Sequence, residues 1–407
     1  MHKIERLLQT LAPKGVEFRK LGEVCEILDN RRIPIAKNKR NPGIYPYYGA
    51  NGIQDYIDSY IFDGDFVLVG EDGSVINKDN TPVVNWASGK IWVNNHAHVL
   101  QTKNELKLKF LYFYLQTIDV SYCVAGTPPK INQENLKKIT IPIPPLEIQQ
   151  EIVKILDAFT ELNTELNTEL NARKKQYQYY QNMLLDFNDI NQSHKDAKMS
   201  AKPYPKRLKT LLQTLAPKGV EFRKLGEVCE ILDNRRIPIA KNKRNPGIYP
   251  YYGANGIQDY IDSYIFDGDF VLVGEDGSVI NKDNTPVVNW ASGKIWVNNH
   301  AHVLQTKNEL KLKFLYFYLQ TIDVSYCVAG TPPKINQENL KKITIPIPPL
   351  EIQQEIVKIL DQFSLLTTDL LAGIPAEIKA RKKQYEYYRE KLLTFKPLTP
   401  HKEVKKC

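Results

Sequence analysis

One stretch of this 407-residue chain is written twice. Leu7–Asp157 recurs as Leu211–Asp361, position for position, at an offset of 204. The identity includes lysines and loop asparagines that a fold does not require, because surface positions tolerate change. The copies therefore arose by recent duplication, recombination or engineering. Two identical stretches fold alike and bind alike, so the chain is constrained to two equivalent units. The asymmetry lies in what differs: Met1–Arg6, the helix middles, the linker and the tail.

Each copy runs into a long helical pattern. In Pro145–Phe187, apolar residues fall at Ile148, Ile152, Ile155, Phe159, Leu162 and Leu166, in alternating steps of four and three. That is the stripe of an amphipathic helix or a coiled-coil seam. Pro144 and Pro145 stand where a helix begins. A helix of this length spans roughly 60 Å. Its stripe needs a partner, and Pro349–Phe395 supplies one with Ile352, Ile356, Ile359, Phe363 and Leu366. The first helix carries three tandem TELN tetrapeptides over Thr160–Asn171, which include Thr160, Leu162, Leu166 and Leu170. Each repeat adds roughly 6 Å of helix and about 40° of rotation. Slippage of a low-complexity run in a tolerant helix gives the same pattern. The second helix has Gly373 and Pro375 at this place, which predict a break or kink.

Within each copy, short strands alternate with a few helices, the pattern of a compact mixed domain. Phe18–Leu28 reads as strand or short helix, and Asp29–Pro42 as a basic loop. Tyr45–Tyr48 is a strand before the Gly49–Gly52 turn. Phe66–Val69 is a buried strand closed by the acidic turn Gly70–Gly73. Pro82–Trp86 and Lys90–Val93 suggest a hairpin around Ser88-Gly89. A strand at His98–Gln101, a helix at Leu106–Ile118, a rigid turn at Gly126–Pro129, a helix start at Asn132 and a strand at Ile139–Ile143 follow. The expected division is a globular domain over 1–144, a long helix over 145–187 and a linker over 188–209. A second domain over 210–348, a second helix over 349–396 and a loose tail over 397–407 complete it.

The net charge is +9. That favours an acidic partner, nucleic acid first, although a merely basic surface also fits. No apolar run approaches the ~18 residues of a membrane span, and the N-terminus has no signal-peptide core. The five cysteines, Cys25, Cys123, Cys229, Cys327 and Cys407, form no CxxC pair. Reduced thiols in a cytoplasmic protein are the expectation.

The junction Lys137–Asp157 reads KKITIPIPPLEIQQEIVKILD, a strand running straight into a long helix. With ARKKQYxYY at Ala172–Tyr180 and Ala380–Tyr388, it resembles the specificity (S) subunits of type I restriction–modification systems. GEVCEI at Gly22–Ile27, YGANG at Tyr48–Gly52, FDGDFVLVGEDG at Phe62–Gly73 and GTPPKIN at Gly126–Asn132 add to the resemblance. It covers essentially the whole chain, in the order domain, helix, domain, helix. It implies a mixed α/β fold: two target-recognition domains separated by two long antiparallel helices in a coiled coil, with a pseudo-twofold internal repeat. Each domain would read one half of a split site in double-stranded DNA, with the TELN run as spacer. It further implies two modification (M) subunits that bind S-adenosylmethionine and methylate adenine at N6. Restriction (R) subunits using ATP and Mg²⁺ would join them, and this chain would carry no cofactor and no catalytic residue.

Candidate DNA contacts follow from residue chemistry. Asp29–Arg40 holds Arg31, Arg32, Lys37, Lys39 and Arg40, suited to phosphates and, for arginine, to guanine edges. A solvated basic loop is the plainer alternative. Tyr47, Tyr48, Asn51 and Gln54 could combine stacking with amide readout, although buried packing suits at least one tyrosine. Asn94, Asn95 and His96 sit on a turn with polar groups for base edges. Thr127, Lys130 and Asn132 lie where the resemblance implies a DNA-proximal loop. All recur in the second copy: Arg235, Arg236, Lys241, Lys243, Arg244, Tyr251, Tyr252, Asn255, Asn298, Asn299, Thr331, Lys334 and Asn336.

Other chemistries find little support. There is no GxGxxG or P-loop after a strand and no NPPY-type methyltransferase tetrad. His96 and His98 near Glu71-Asp72 could suggest a metal, and Asp63, Asp65, Glu71 and Lys78 a nuclease, but such residues are common on strands and turns. A duplicated single-chain nuclease or modifying enzyme, and a coiled-coil scaffold, stand as rivals. Identical domains related by a twofold axis predict a gapped palindromic target.

Overall fold

A long apolar stripe in water must be covered, and that requirement organises both halves of the chain. The computed structural model describes residues 2–73, 75–187, 203–277, 279–368 and 373–398. The first copy runs α1 (His2–Leu11), β1 (Glu17–Lys20), α2 (Leu21–Val24), β2 (Cys25–Ile27), β3 (Pro42–Gly49), β4 (Gly52–Ile57), β5 (Phe62–Gly70), β6 (Val84–Val93) and β7 (Ala97–Thr102). Then come α3 (Leu108–Leu115), α4 (Gln133–Lys138), β8 (Thr140–Ile143) and the long α5 (Leu146–Leu185). The second copy repeats this order after α6 (Lys206–Leu215).

Six strands form one sheet in the order β2-β7-β5-β6-β3-β4, and β1 pairs with β8. Only β3 and β6 run parallel, at Tyr47–Trp92 and Tyr48–Val93. The centre of the sheet is β5. Phe66 and Leu68 point into one cluster with Ile91 and Val99. Val67 and Val69 point into another with Leu100 and the aromatic residues of α3. Successive side chains of a strand face opposite ways, so this buried run marks a strand covered on both sides.

Two local expectations are corrected. The hairpin around Ser88-Gly89 does not form: Val84–Val93 is one strand paired along β5, with Gly89 opposite Gly64. Gly89 takes a φ of 76°, which glycine tolerates without the Cβ penalty, so a glycine that reads as a turn serves inside a strand. The sequence also gives no sign of β4, the hairpin partner of β3. Of its large apolar residues, Ile53 and Tyr56 are exposed and only Ile57 is buried, so the usual alternation is lost.

The chain divides into two compact units, Met1–Asn167 with Glu377–Cys407, and Thr168–Ala376. In unit 1 the first half of α5 buries Ile148, Ile152 and Leu156. The helix Ile374–Leu393 adds Leu392 and Leu393 to the same cluster. Phe159 stacks on Tyr388 with centroids 5.6 Å apart and meets Tyr385 at 6.2 Å. Later positions of one helix meet earlier positions of the other, so the two run in opposite directions. In unit 2 the end of α5 supplies Leu184, Leu185 and Phe187 to a core that includes Ile352, Ile356 and Leu360. Tyr180 stacks on Phe363 at 5.3 Å, the same pairing of residue types. Each globular copy thus has its core completed by a helix end that follows the other copy in sequence.

The TELN run lies within the helix, and its polar side chains bond back along it. The Thr160 and Thr164 hydroxyls donate to the carbonyls of Leu156 and Thr160 at 2.9 and 2.8 Å. Leu162, Leu166 and Leu170 are half-buried and Thr160 exposed. The second helix is interrupted where Gly373 and Pro375 predict. Leu350–Thr368 is one helix, and Ile374–Leu393 begins afresh with Pro375 in its first turn; residues 369–372 lie outside the described residues. α6 starts at Lys206, inside the stretch read as linker, of which 188–202 lie outside the described residues. The first tail residues are held: Pro397 bridges Val16, and the Leu398 N–H donates to the Val16 carbonyl at 3.0 Å. Residues 399–407 lie outside the described residues.

If the C-terminal helix completes unit 1, Leu392→Ala, at a site 3% exposed, should destabilise that unit by about 2–5 kcal/mol. Urea denaturation should then show unit 1 unfolding ahead of unit 2. The exposed neighbour Lys391, changed to alanine, should leave the curve within about 0.5 kcal/mol.

Candidate nucleic-acid interface

The basic loop between β2 and β3 folds into two short 3-10 turns, Asp29–Arg31 and Lys37–Lys39. They divide its cations into two groups. Lys37 and Lys39 are exposed; their backbones bond within the turn, and their ammonium groups make no hydrogen bond or ion pair among the described residues. Arg31 is exposed; its guanidinium lies 4.6 Å from the Phe62 ring centroid and donates to the Ile61 carbonyl at 3.2 Å. Arg32 and Arg40 are spent inside the domain. Arg40 lies 4.0 Å over the Tyr47 ring and donates to the Ile35 carbonyl and to Asp55 at 3.0 and 3.3 Å.

Tyr47, Tyr48 and Asn94 are buried in the fold, against the expectation that they meet DNA, whereas Asn132 is exposed while its side chain caps a helix. Tyr47 is 1% exposed, and its hydroxyl accepts the Ile35 N–H at 2.9 Å. Tyr48 is buried in the sheet core. Asn94, 3% exposed, accepts the His96 N–H at 2.8 Å and donates to Gln54 at 3.3 Å. Asn132 caps α4, accepting the Asn135 N–H at 2.8 Å. In contrast, Asn51, Asn95 and Thr127 are exposed, and their side-chain polar atoms make no hydrogen bond among the described residues.

Arg32 belongs to a half-buried ionic cluster that sequence reasoning does not assemble. One of its guanidinium nitrogens, Nη1, donates to Glu71 at 2.6 Å, to the Ala97 carbonyl at 2.8 Å and to the Asn95 carbonyl at 3.3 Å. Glu71 also takes Lys130 at 3.0 Å. His98 is fully buried. Its Nδ1 faces Asp29 at 2.6 Å, and its Nε2 faces the Ile131 carbonyl at 2.8 Å. An acceptor on each side suits a ring with two N–H groups. Burial pushes the Asp29 carboxyl up, but the His98 hydrogen bond and charge, the Arg32 charge and the Val99 N–H outweigh it and hold the carboxyl below its ordinary 3.8. The only sequence signal was His98 breaking an apolar strand near two acids.

Asp29, Glu71 and His98 bring ligand atoms within 4.8 Å of one another, yet those atoms already serve the ion pairs just described, and the cations Arg32 and Lys130 sit among them. The residues present do not fit a metal. His96 pairs separately with Asp72. The acids imagined as a nuclease do not converge: Asp63 and Glu71 lie eight residues apart across the length of β5, about 25 Å in an extended strand.

The second copy is built alike. Arg236 and Lys334 meet Glu275 at 2.5 and 3.1 Å, and His302 meets Asp233 at 2.6 Å. Arg244, Tyr251, Tyr252 and Asn298 are held inside the domain as their counterparts are, and the exposed Asn336 caps its helix by accepting the Asn339 N–H. Arg235, Lys241, Lys243, Asn255, Asn299 and Thr331 are exposed.

A depressed carboxylate contributes stability that is full above its unfolded value and is lost as pH falls through its folded value. Unit 1 should therefore lose stability below about pH 4, and Asp29→Asn should flatten that part of the profile while lowering stability at neutral pH. Denaturation across pH 2–7 checks this, with the unchanged Asp233 unit as internal reference.

The family model for the type I restriction modification DNA specificity domain matches residues 13–176 and again 217–380. A type I restriction enzyme specificity subunit of Haemophilus influenzae is 35% identical over 96% of this chain and 98% of its own length. The EcoR124I/EcoR124II specificity subunit of Escherichia coli is 27% identical over 98% of each chain. In fold, the chain resembles the crystal structure of the S subunit of a type I restriction–modification system from M. genitalium. The TM-score is 0.61 at 17% identity, over 93% of this chain and 96% of that one. No described helix is long and apolar enough to cross a membrane. With its domain matched twice and its length shared with such a relative, this chain belongs to the family of type I restriction–modification DNA specificity subunits.

Proposed function

We propose that the chain reads a bipartite site in double-stranded DNA, and that its two units read the same half-site in opposite orientations on either side of a gap. The observation that carries this is that both units present one identical set of exposed polar side chains: Arg31, Lys37, Lys39, Asn51, Asn95 and Thr127, and the same residues 204 positions on. Lysines supply phosphate contacts that fix position, and the amides and hydroxyl suit base edges. The catalysis belongs to partners. Two modification subunits with S-adenosylmethionine methylate adenine N6, and restriction subunits with ATP and Mg²⁺ cut, all in the cytoplasm. The TELN run, through Thr160, Leu162, Leu166 and Leu170, sets the gap length. The names of the relatives support the specificity role, and the acids Asp63 and Glu71, at opposite ends of β5, do not converge into a nuclease site.

A genome-wide map of N6-methyladenine in cells expressing the chain with its modification subunit tests this. The expected result is a new gapped palindrome methylated on both strands and absent without the chain. Two unrelated half-sites would refute equivalent reading by the units. No new methylation despite a soluble complex would favour a scaffold.

A further inference from the structure

The exposed polar residues sit on loops that are not neighbours in sequence, and one buried cluster ties those loops together. Glu71 holds three of them. Its side chain takes Arg32 from the basic loop and Lys130 from the Gly126–Lys130 turn. Its backbone N–H donates to the His96 carbonyl at 2.8 Å, and its carbonyl accepts the Ile131 N–H at 2.8 Å. Arg32 adds the bond to the Asn95 carbonyl, and His98 fastens Asp29, at the start of the basic loop, to Ile131. The Asn94 side chain joins its turn to Gln54, beyond the turn that carries Asn51. Asn95 and Thr127 thus project from segments whose relative placement is fixed by Asp29, Arg32 and Glu71, 8–12% exposed, by the half-exposed Lys130 and by the backbone bonds of Glu71 to His96 and Ile131.

We propose that Glu71, and Glu275 in the second unit, are positioning residues for sequence discrimination: they fix the loops into one reading face without touching DNA. This rests on the reading of the chain as the DNA-recognising subunit. The chemistry separates positioning from charge. Glu71 is an acid on a basic face, so removing its charge should tighten binding to every sequence if electrostatics were its whole role. If it holds base-reading loops in register, the same change should cost discrimination, because the wrong base is rejected only by groups held in place.

The test uses the full chain assembled with its modification subunits, and a randomised double-stranded DNA library as probe. Glu71→Gln with Glu275→Gln should lower the enrichment of the best site over the library average by about 10-fold or more. The salt dependence of average binding should hold or rise. Unchanged enrichment, or a uniform gain for all sequences, would overturn the proposal. Should that variant fail to fold, Arg32→Lys with Arg236→Lys keeps the charge and loses the fork, and it answers to the same readout. Wild-type complex that enriches no site would instead refute the DNA-recognising role itself, a distinct result.

Discussion

The interaction on which the rest depends is the burial of the helix stripes. Ile148, Ile152 and Leu156 are buried in one cluster with residues of α3 and with Leu392 and Leu393 from the far end of the chain. The same holds in the second unit, where Leu184 and Leu185 cover the stripe that contains Ile352 and Ile356. Neither core is finished by residues contiguous with its own domain. Removing a large apolar residue from such a core costs about 2–5 kcal/mol, comparable to much of the 5–15 kcal/mol of a typical domain. The domain copies and the helix ends therefore form one cooperative arrangement in each unit.

That arrangement leaves the loops of the sheet free for recognition. A sheet buried on both faces along β5 gives a rigid base, and the polar turns lie at its ends. The ionic cluster of Asp29, Arg32, Glu71 and His98 then fixes the turns to one another. Buried ion pairs are weak sources of net stability; here their consequence is placement, since each charge bridges segments far apart in sequence. Rigid elements carrying side chains on short, fastened loops are what base reading requires.

The duplication, the helix stripes and the break at Gly373 were legible in the sequence because periodicity and proline or glycine placement act locally. β4 was not, because Ile53 and Tyr56 are exposed and only Ile57 of its large apolar residues is buried, and β6 was split because Gly89 reads as a turn when its strand partner is unknown. Among the contact candidates, residue type picks out cations and amides but cannot say which are engaged inside the fold. Arg32 and Lys37 look alike in sequence; the guanidinium of one meets Glu71, 39 residues away, and the ammonium of the other has no polar partner among the described residues. The ionic cluster escaped notice for the same reason: its members come from four separate segments, and only the folded sheet brings them together.

The central claim is that two identical units present the same reading face to DNA. Hydroxyl-radical footprinting of the assembled complex on its methylated target measures this directly. The account predicts two protected patches, one on each side of an unread gap, with the pattern on one strand reproduced on the other by rotation about the centre. A footprint confined to one side, or two patches of different extent and spacing, would contradict it.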